Sequence, residues 1–267
     1  MSEVLRVERE GPGGEVARVT LSRPEVRNAF NAELIGELTA AFTTLSEDPA
    51  ERLRAVVLAG DGASFCAGAD VAWMRASLEL TVAQNEADAA RLAEMLEAID
   101  SCPAPVVARV QGAALGGGMG LCAVADIVLA AADTAFGFTE TRLGILPAVI
   151  SPFVLARIGE GPARALFPTG ERFDAQRALR IGLVHEVLAD LPALDARLAE
   201  ILDGIHAAGP TAARAAKAVI RDQRGLDAGA RRQLSVQAIA RQRTSPEGQE
   251  GLTAFLDKRP PDWQRRD

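Results

Sequence analysis

The chain has 267 residues, of which 48% are hydrophobic and only 4% aromatic, and its formal net charge is −7 at pH 7. That apolar fraction can bury a sizeable core and excludes a disordered chain. The acidic balance disfavours a broad nucleic-acid surface, which needs a basic stripe, but it permits a small anionic ligand.

The first part of the chain alternates between strand and helix patterns. Asn31 is predicted to cap one amphipathic helix, and Thr81 with Gln84 forms the pattern of a capping box for another. Short apolar runs predict strands at 4–8, 16–21, 53–59, 106–110 and 126–130. The turn between the first two strands is expected at 11–14. Strands that alternate with helices predict an α/β core with mainly parallel pairing.

The last third of the chain has a helical pattern. Asp174 is predicted to begin a short helix that Gly182 ends, before a brief extended piece at 183–187. Asp190 is expected to begin the next helix. Helix breakers then divide the remainder into three more helices, at Pro210, Gly225 and Ser245.

The glycine-rich stretch 112–126, GAALGGGMGLCAVAD, is the most informative part of the sequence. Its three consecutive glycines follow a predicted strand and lead into a helix, whose first N–H groups are unpaired and suit a developing negative charge. The spacing fits neither a dinucleotide fingerprint nor a Walker A loop. An oxyanion site and a tight structural turn both remain open.

Few side chains are candidates for a catalytic role. The two histidines, His185 and His206, lie outside any G-x-S-x-G motif, and three cysteines without C-x-x-C spacing indicate neither a disulfide framework nor a metal site. General acid–base catalysis by a carboxylate remains. Glu140 is the candidate because it lies in apolar, glycine-punctuated sequence, where burial would raise its pKa. A structural role for this carboxylate is the alternative, and Asp126 is expected to be structural.

Five segments spread over nearly the whole chain carry a further signal. They are 23–31, 64–70, 112–126, 136–144 and 250–259. Each is weak alone, but together and in this order they resemble the enoyl-CoA hydratase/isomerase (crotonase) superfamily. The resemblance implies an α/β crotonase fold, with a spiral of β-β-α units at 1–190 and a helical region at 191–267. It also implies an acyl-CoA thioester as substrate and an enolate as intermediate.

The same resemblance assigns roles to single residues. The backbone N–H groups of Ala69 and Gly117 would form the oxyanion hole, and Glu140 would move the proton. Contacts with coenzyme A are expected from Arg23, Arg27, Ala67, Gly68, Asp70, Gly116 and Lys258, or Arg259 in place of the lysine. Coenzyme A enters as part of the substrate, so neither a separate cofactor nor a metal is expected.

The resemblance further implies a homo-oligomer, either a trimer or a hexamer built as a dimer of trimers. The region 191–267 would take part in this assembly and in closing the coenzyme A site. Nucleic acid and membrane are not expected as partners, because the chain is acidic and has no apolar stretch of about 18 residues. A charged N-terminus unlike a signal peptide and the unpaired cysteines predict a cytoplasmic protein.

One position departs from the family pattern. Gly120 stands where typical hydratases carry the first of two glutamates, and a single carboxylate favours isomerisation of a 3-enoyl-CoA. However, 70–74 and 140–154 resemble a bacterial methylglutaconyl-CoA hydratase-like branch, whose members also have a small residue there. Hydration of a 2-enoyl-CoA, including branched or methylglutaconyl-type substrates, is therefore the first expectation and isomerisation the second. A catalytically silent acyl-CoA-binding protein is the alternative of another class.

Overall fold

Two β-sheets organise the computed structural model, which describes residues 4–11 and 13–264. The strands are β1 (Leu5–Glu10), β2 (Val16–Leu21), β3 (Ala55–Gly60), β4 (Val106–Val110), β5 (Ala113–Leu115), β6 (Ile127–Ala131), β7 (Ala135–Gly137), β8 (Arg172–Asp174) and β9 (Glu186–Leu188). The larger sheet has the order β1-β2-β3-β4-β6-β9 and the smaller one β5-β7-β8. Within the larger sheet only β1 and β2 pair antiparallel, so the predicted parallel α/β core is confirmed.

Helices surround the sheets and form the last quarter of the described chain. They are α1 (Ala32–Ser46), α2 (Val71–Ser77), α3 (Val82–Ser101), α4 (Gly117–Val124), α5 (Ser151–Ile158), α6 (Glu160–Thr169), α7 (Ala175–Arg180), α8 (Leu191–Ala207), α9 (Pro210–Asp222), α10 (Ala228–Thr244) and α11 (Pro246–Leu256). Among the described residues, none of these helices has the length and apolar content needed to cross a membrane.

Local sequence signals set several helix ends. The Asn31 side chain accepts a hydrogen bond from the Leu34 N–H at 2.8 Å, and Asp190 caps α8 in the same way at 2.9 Å. Thr81 and Gln84 form the predicted capping box of α3. These side chains satisfy N–H groups that a helix leaves unpaired at its start, and the predicted helix starts are confirmed.

The larger sheet is covered on both faces. Alternate residues of its parallel strands, such as Val56 and Val106, pack into the main core with α1 and α3. Val57 and Val107 face the other way and pack against Leu194 and other apolar residues of α8. The first helix beyond residue 190 therefore covers the central sheet, while the division into two regions at that residue stays a prediction.

Asp126, which is expected to be structural, and His185 both make contacts that hold the larger sheet. Asp126 accepts a hydrogen bond from the Val106 N–H at 2.7 Å and pairs with Lys217 at 2.6 Å. The His185 Nδ1 accepts one from the Val128 N–H at 2.9 Å. Both side chains fix the ends of β-strands.

Strand boundaries differ from expectation in the shortest elements. Of the extended piece predicted at 183–187, only residues 186 and 187 belong to a strand, β9, which continues to Leu188. The strands β5, β7 and β8 were not predicted. Each has three residues, too few for an alternating pattern to be recognised. The turn predicted at 11–14 closes through a 3.1 Å hydrogen bond from the Gly14 N–H to the Gly11 carbonyl, while Pro12 lies outside the described residues. Residues 1–3 of the predicted region 1–190 and residues 265–267 of the predicted region 191–267 also lie outside them.

Candidate active site

A cavity of about 360 Å³ lies beside the start of α4. Most of its wall is apolar, from Phe30, Trp73, Met74, Leu92, Leu143, Ile145, Leu146, Val149 and Ile150. Its polar side chains are Ser77, Asn85, Asp88, Thr139 and Glu140. An apolar cavity with a few polar groups is typical of small-molecule sites.

The backbone around Ala69 leaves one N–H without a partner. Phe30 donates its N–H to the Gly68 carbonyl at 2.7 Å and accepts the Asp70 N–H at 2.8 Å, so it bonds the residues on both sides of Ala69. The N–H of the residue between them points the other way in such a parallel bridge. Within the described residues this N–H has no acceptor, and Ala69 lines the cavity.

A second N–H is unpaired at the start of α4. Gly116 donates its N–H to the Gly137 carbonyl at 2.9 Å and adopts φ +49°, a left-handed conformation that favours glycine. Gly117 is the first residue of α4, so its N–H has no intrahelical acceptor. A Cβ on Gly117 would lie 2.6 Å from Cε2 of Phe30, so the tight packing there requires glycine. The positive end of the helix adds to the attraction for an oxygen anion.

Glu140 lines the same cavity as Gly116 and Gly117, from a different segment of the chain. It lies in a 3₁₀ turn at Thr139–Leu143, which follows β7, and its Oε1 is 3.5 Å from the position that a Cβ on Gly116 would take. Its Oε2 is buried and has no hydrogen-bond partner among the described residues. Burial raises the pKa of this carboxyl, although a hydrogen bond from its own backbone N–H opposes the shift. The raised pKa expected from the sequence is confirmed.

The place of a second glutamate is filled by apolar side chains. A Cβ on Gly120 would lie 2.6 Å from Cγ2 of Ile150 and 3.4 Å from Cδ2 of Leu96. Gly120 is buried, and Ile150 is only 2% exposed. No room remains there for a longer side chain unless Ile150 moves, so the departure from a two-glutamate pattern is matched by the packing around it.

The structure brings together six of the predicted site residues and leaves the others outside the cavity. The six are Ala67, Gly68, Ala69, Gly116, Gly117 and Glu140. Arg23 instead pairs with Asp70 at 2.7 Å, and both side chains are largely buried. Asp70 also caps α2 by accepting the Ala72 N–H at 2.7 Å. Burial would raise the pKa of Asp70, but the hydrogen bonds from Arg23 and Ala72 outweigh this, and the net shift is downward.

Arg27 and Lys258 do not line the cavity. Arg27 adopts φ +55°, and its carbonyl accepts the Ala67 N–H at 3.0 Å, which ties the 23–31 loop to the cavity segment. Lys258 is exposed just beyond α11, while the neighbouring Arg259 pairs with Glu250 at 2.6 Å. The contacts of these residues with coenzyme A stay predictions.

The sequence analysis missed Asp88. This aspartate is buried and lines the cavity from α3, on the same helical face as Leu92, Met95 and Leu96. Its spacing of four, seven and eight residues from them is the signal that could have located it.

Comparison with known proteins identifies the family of the chain. The family model described as "Enoyl-CoA hydratase/isomerase" matches residues 12–266. The crotonyl-CoA hydratase of Syntrophomonas wolfei is 32% identical over 246 residues, which cover 92% of this chain and 93% of that protein.

Solved structures show the same fold. An enoyl-CoA hydratase from Shewanella pealeana is 35% identical, with a TM-score of 0.90 over 97% of this chain and 96% of its own. Pseudomonas aeruginosa AtuE is 40% identical, with a TM-score of 0.93 over 98% of this chain and 100% of its own. The expected crotonase α/β fold with a helical C-terminal region is thereby confirmed, and the chain belongs to the enoyl-CoA hydratase/isomerase family of enzymes, which act on acyl-CoA.

Proposed function

We propose that this enzyme hydrates a 2-enoyl-CoA through a thioester enolate. The observation that carries the proposal is one apolar cavity that Ala69, Gly117 and Glu140 line together. Two unpaired N–H groups there can hold the thioester oxygen, and the carboxylate can move a proton. The similarity to proteins described as hydratases supports water addition as the reaction.

The proposed reaction uses Glu140 twice. The thioester oxygen accepts hydrogen bonds from the N–H groups of Ala69 and Gly117, each worth about 3 kcal/mol of barrier as negative charge develops. The ionised Glu140 takes a proton from water while the water oxygen bonds to C3 of the substrate. The protonated Glu140 then returns that proton to C2 of the enolate, which completes the addition and restores the carboxylate.

A second candidate is isomerisation of a 3-enoyl-CoA to a 2-enoyl-CoA. The filled space beside Gly120 favours it, since Ile150 and Leu96 leave no second carboxylate to hold a water there. Glu140 would remove a proton from C2 and return it to C4 of the dienolate, and the same N–H groups would stabilise the charge.

The two reactions are separated by incubation with 2-enoyl-CoA and 3-enoyl-CoA panels in deuterated water, followed by mass spectrometry. A gain of one water on 2-enoyl substrates supports hydration. Bond migration or deuterium uptake without water gain supports isomerisation instead. No change in any substrate would overturn both, and acyl-CoA binding without turnover would then identify a catalytically silent acyl-CoA-binding protein.

The acyl group is a further part of the proposal. The resemblance of 70–74 and 140–154 to the methylglutaconyl-CoA hydratase-like branch makes methylglutaconyl-CoA one member of the 2-enoyl panel. Plain and branched 2-enoyl-CoAs of matched length complete it. Their relative kcat/KM values show which kind of acyl group the apolar wall accepts.

A further inference from the structure

Asp88 is a buried acid in the cavity that the proposed proton transfer does not use. It is 9% exposed and lies on the apolar face of α3. Its Oδ1 pairs with Arg91, a largely exposed residue one turn further along the helix. Its Oδ2 has no donor among the described residues, and the side chain neither caps a helix nor bonds a backbone N–H. An exposed partner of this kind adds little stability, so the fold gives no reason for an acid here.

The position of Asp88 along α3 separates it from the proton-transfer region. Leu96 on the same helix contacts the space beside Gly120. Asp88 precedes Leu96 by eight residues, which is about 12 Å along the helix axis. Asp88 therefore does not fill the space beside Gly120, and it lies toward the other end of the helical wall.

This end of the cavity offers hydrogen-bond acceptors. Asn85, one turn before Asp88, also lines the cavity, and its amide nitrogen is occupied by the carbonyls of Leu80 and Thr81 at 3.2 and 3.3 Å. The Asn85 Oδ1 and the Asp88 Oδ2 have no donors among the described residues. Asn85 is exposed and its oxygen is open to solvent, so the Oδ2 of the buried Asp88 is the acceptor that matches a ligand group donating a hydrogen bond.

The segments to which the family resemblance assigns coenzyme A contacts do not include α3, and we take the α3 wall as the acyl side of the cavity. We propose that Asp88 is a specificity-determining residue, which accepts a hydrogen bond from a hydroxyl group on the acyl chain remote from the thioester. It also disfavours an acyl chain that ends in a carboxylate, because two negative charges would then face each other. Within the 2-enoyl panel it therefore favours the plain and branched uncharged chains over methylglutaconyl-CoA, whose acyl chain ends in a carboxylate. This inference rests on the proposed function only in that the cavity holds an acyl chain.

The test measures binding and needs no turnover. Saturated acyl-CoA ligands with a terminal hydroxyl, methyl or carboxylate group, matched in length across a series, are titrated into the wild-type enzyme by calorimetry. The wild type is expected to bind the hydroxyl-ended ligand most tightly and the carboxylate-ended one most weakly. A hydrogen bond to a charged acceptor corresponds to about a 10- to 100-fold preference.

The variants are Asp88→Asn and Asp88→Leu, with Glu94→Gln on the exposed face of the same helix as the matched control. Asp88→Leu is expected to lose the preference for the hydroxyl group and to bind the methyl-ended ligand more tightly. Asp88→Asn keeps the size of the side chain and should relieve the exclusion of the carboxylate-ended ligand. It also carries the test if the leucine variant does not fold. The control should retain the wild-type order.

The inference is wrong if the wild type binds the carboxylate-ended ligand at least as tightly as the hydroxyl-ended one. It is also wrong if the Asp88 variants change the affinity of all three ligands equally. Selective binding without turnover of any 2-enoyl-CoA would reject hydration and leave the role of Asp88 standing. Failure of every acyl-CoA to bind would reject both.

Discussion

Glu140 combines burial, an unpartnered oxygen and a raised pKa in one side chain, and these properties are what a proton carrier needs. Its position in apolar sequence made it the leading acid among 36 acidic residues. Asp88 was missed although the spacing that places it on the apolar face is visible in the sequence. The difference is that Asp88 has a functional interpretation only after its cavity is seen.

The first prediction concerns turnover. Glu140→Gln keeps the size of the side chain but removes the group that accepts and returns the proton, so kcat should fall about 100-fold or more. Affinity for a saturated acyl-CoA should change little, since the N–H groups of Ala69 and Gly117 are retained. Steady-state kinetics and calorimetry measure the two quantities. Asp133→Asn, an exposed carboxylate outside the cavity, is the control, and unchanged turnover in the glutamine variant would remove Glu140 from the mechanism.

The second prediction concerns stability and pH. Because the pKa of Glu140 is raised above its ordinary value of 4.5, the folded state binds this proton more tightly than the unfolded state. The free energy of unfolding should therefore decrease as pH rises from 4.5 through the raised pKa. Urea unfolding at a series of pH values should show this decrease in the wild type and a smaller one in Glu140→Gln. Identical pH profiles would contradict burial as the cause of the shift.

At the scale of elements, helix α4 is held closely on two sides. Its first residue packs under Phe30, and Gly120 packs against Ile150 and Leu96. Caps such as those at Asn31 and Asp190 could be predicted because their signals are local. The packing of Gly120 against Ile150 could not be predicted, since the two residues are 30 positions apart and neither residue type indicates that they are in contact. The three-residue strands could not be predicted for another reason, because three residues are too few to show an alternating pattern.

The close packing of α4 gives the third prediction. Gly120→Ala would place a Cβ 2.6 Å from Cγ2 of Ile150 and should lower the free energy of unfolding by about 1–3 kcal/mol. Ile150→Ala opens the space, so the double variant should be more stable than the sum of the two single effects predicts. Urea unfolding of the four proteins forms the cycle. Strict additivity would show that the two positions do not compete for the same volume.

At the scale of the whole molecule, the neighbouring helices α9, α10 and α11 leave several large apolar side chains exposed. Large side chains exposed by 49% or more are Ile220, Val236, Ile239, Leu252, Phe255 and Leu256, and α10 buries none of its residues. Exposed apolar side chains grouped on neighbouring helices favour an interaction surface. It supports the proposed trimer or hexamer, whose formation the sequence could suggest only through resemblance.

The fourth prediction is the assembly itself. Light scattering should give three or six times the 28.1 kDa subunit mass. Phe255→Asp places a charge on a side chain that is 81% exposed in the subunit, so it should shift the population toward monomer without unfolding it. Gln237→Asp, which makes the same charge change on an exposed polar residue of α10 away from Val236 and Ile239, is the control. A wild-type mass equal to one subunit would reject the proposed assembly.

Phe30 has a consequence for how this enzyme can diversify. Its backbone bonds the residues on both sides of Ala69, and its ring fills the space beside Gly117. This one residue of the 23–31 segment therefore positions the N–H donors of both Ala69 and Gly117. The Asp88 side chain belongs to α3, which supplies neither donor. Substitutions in the α3 part of the cavity wall can therefore change the choice of substrate, while the backbone that carries the two N–H donors stays in place.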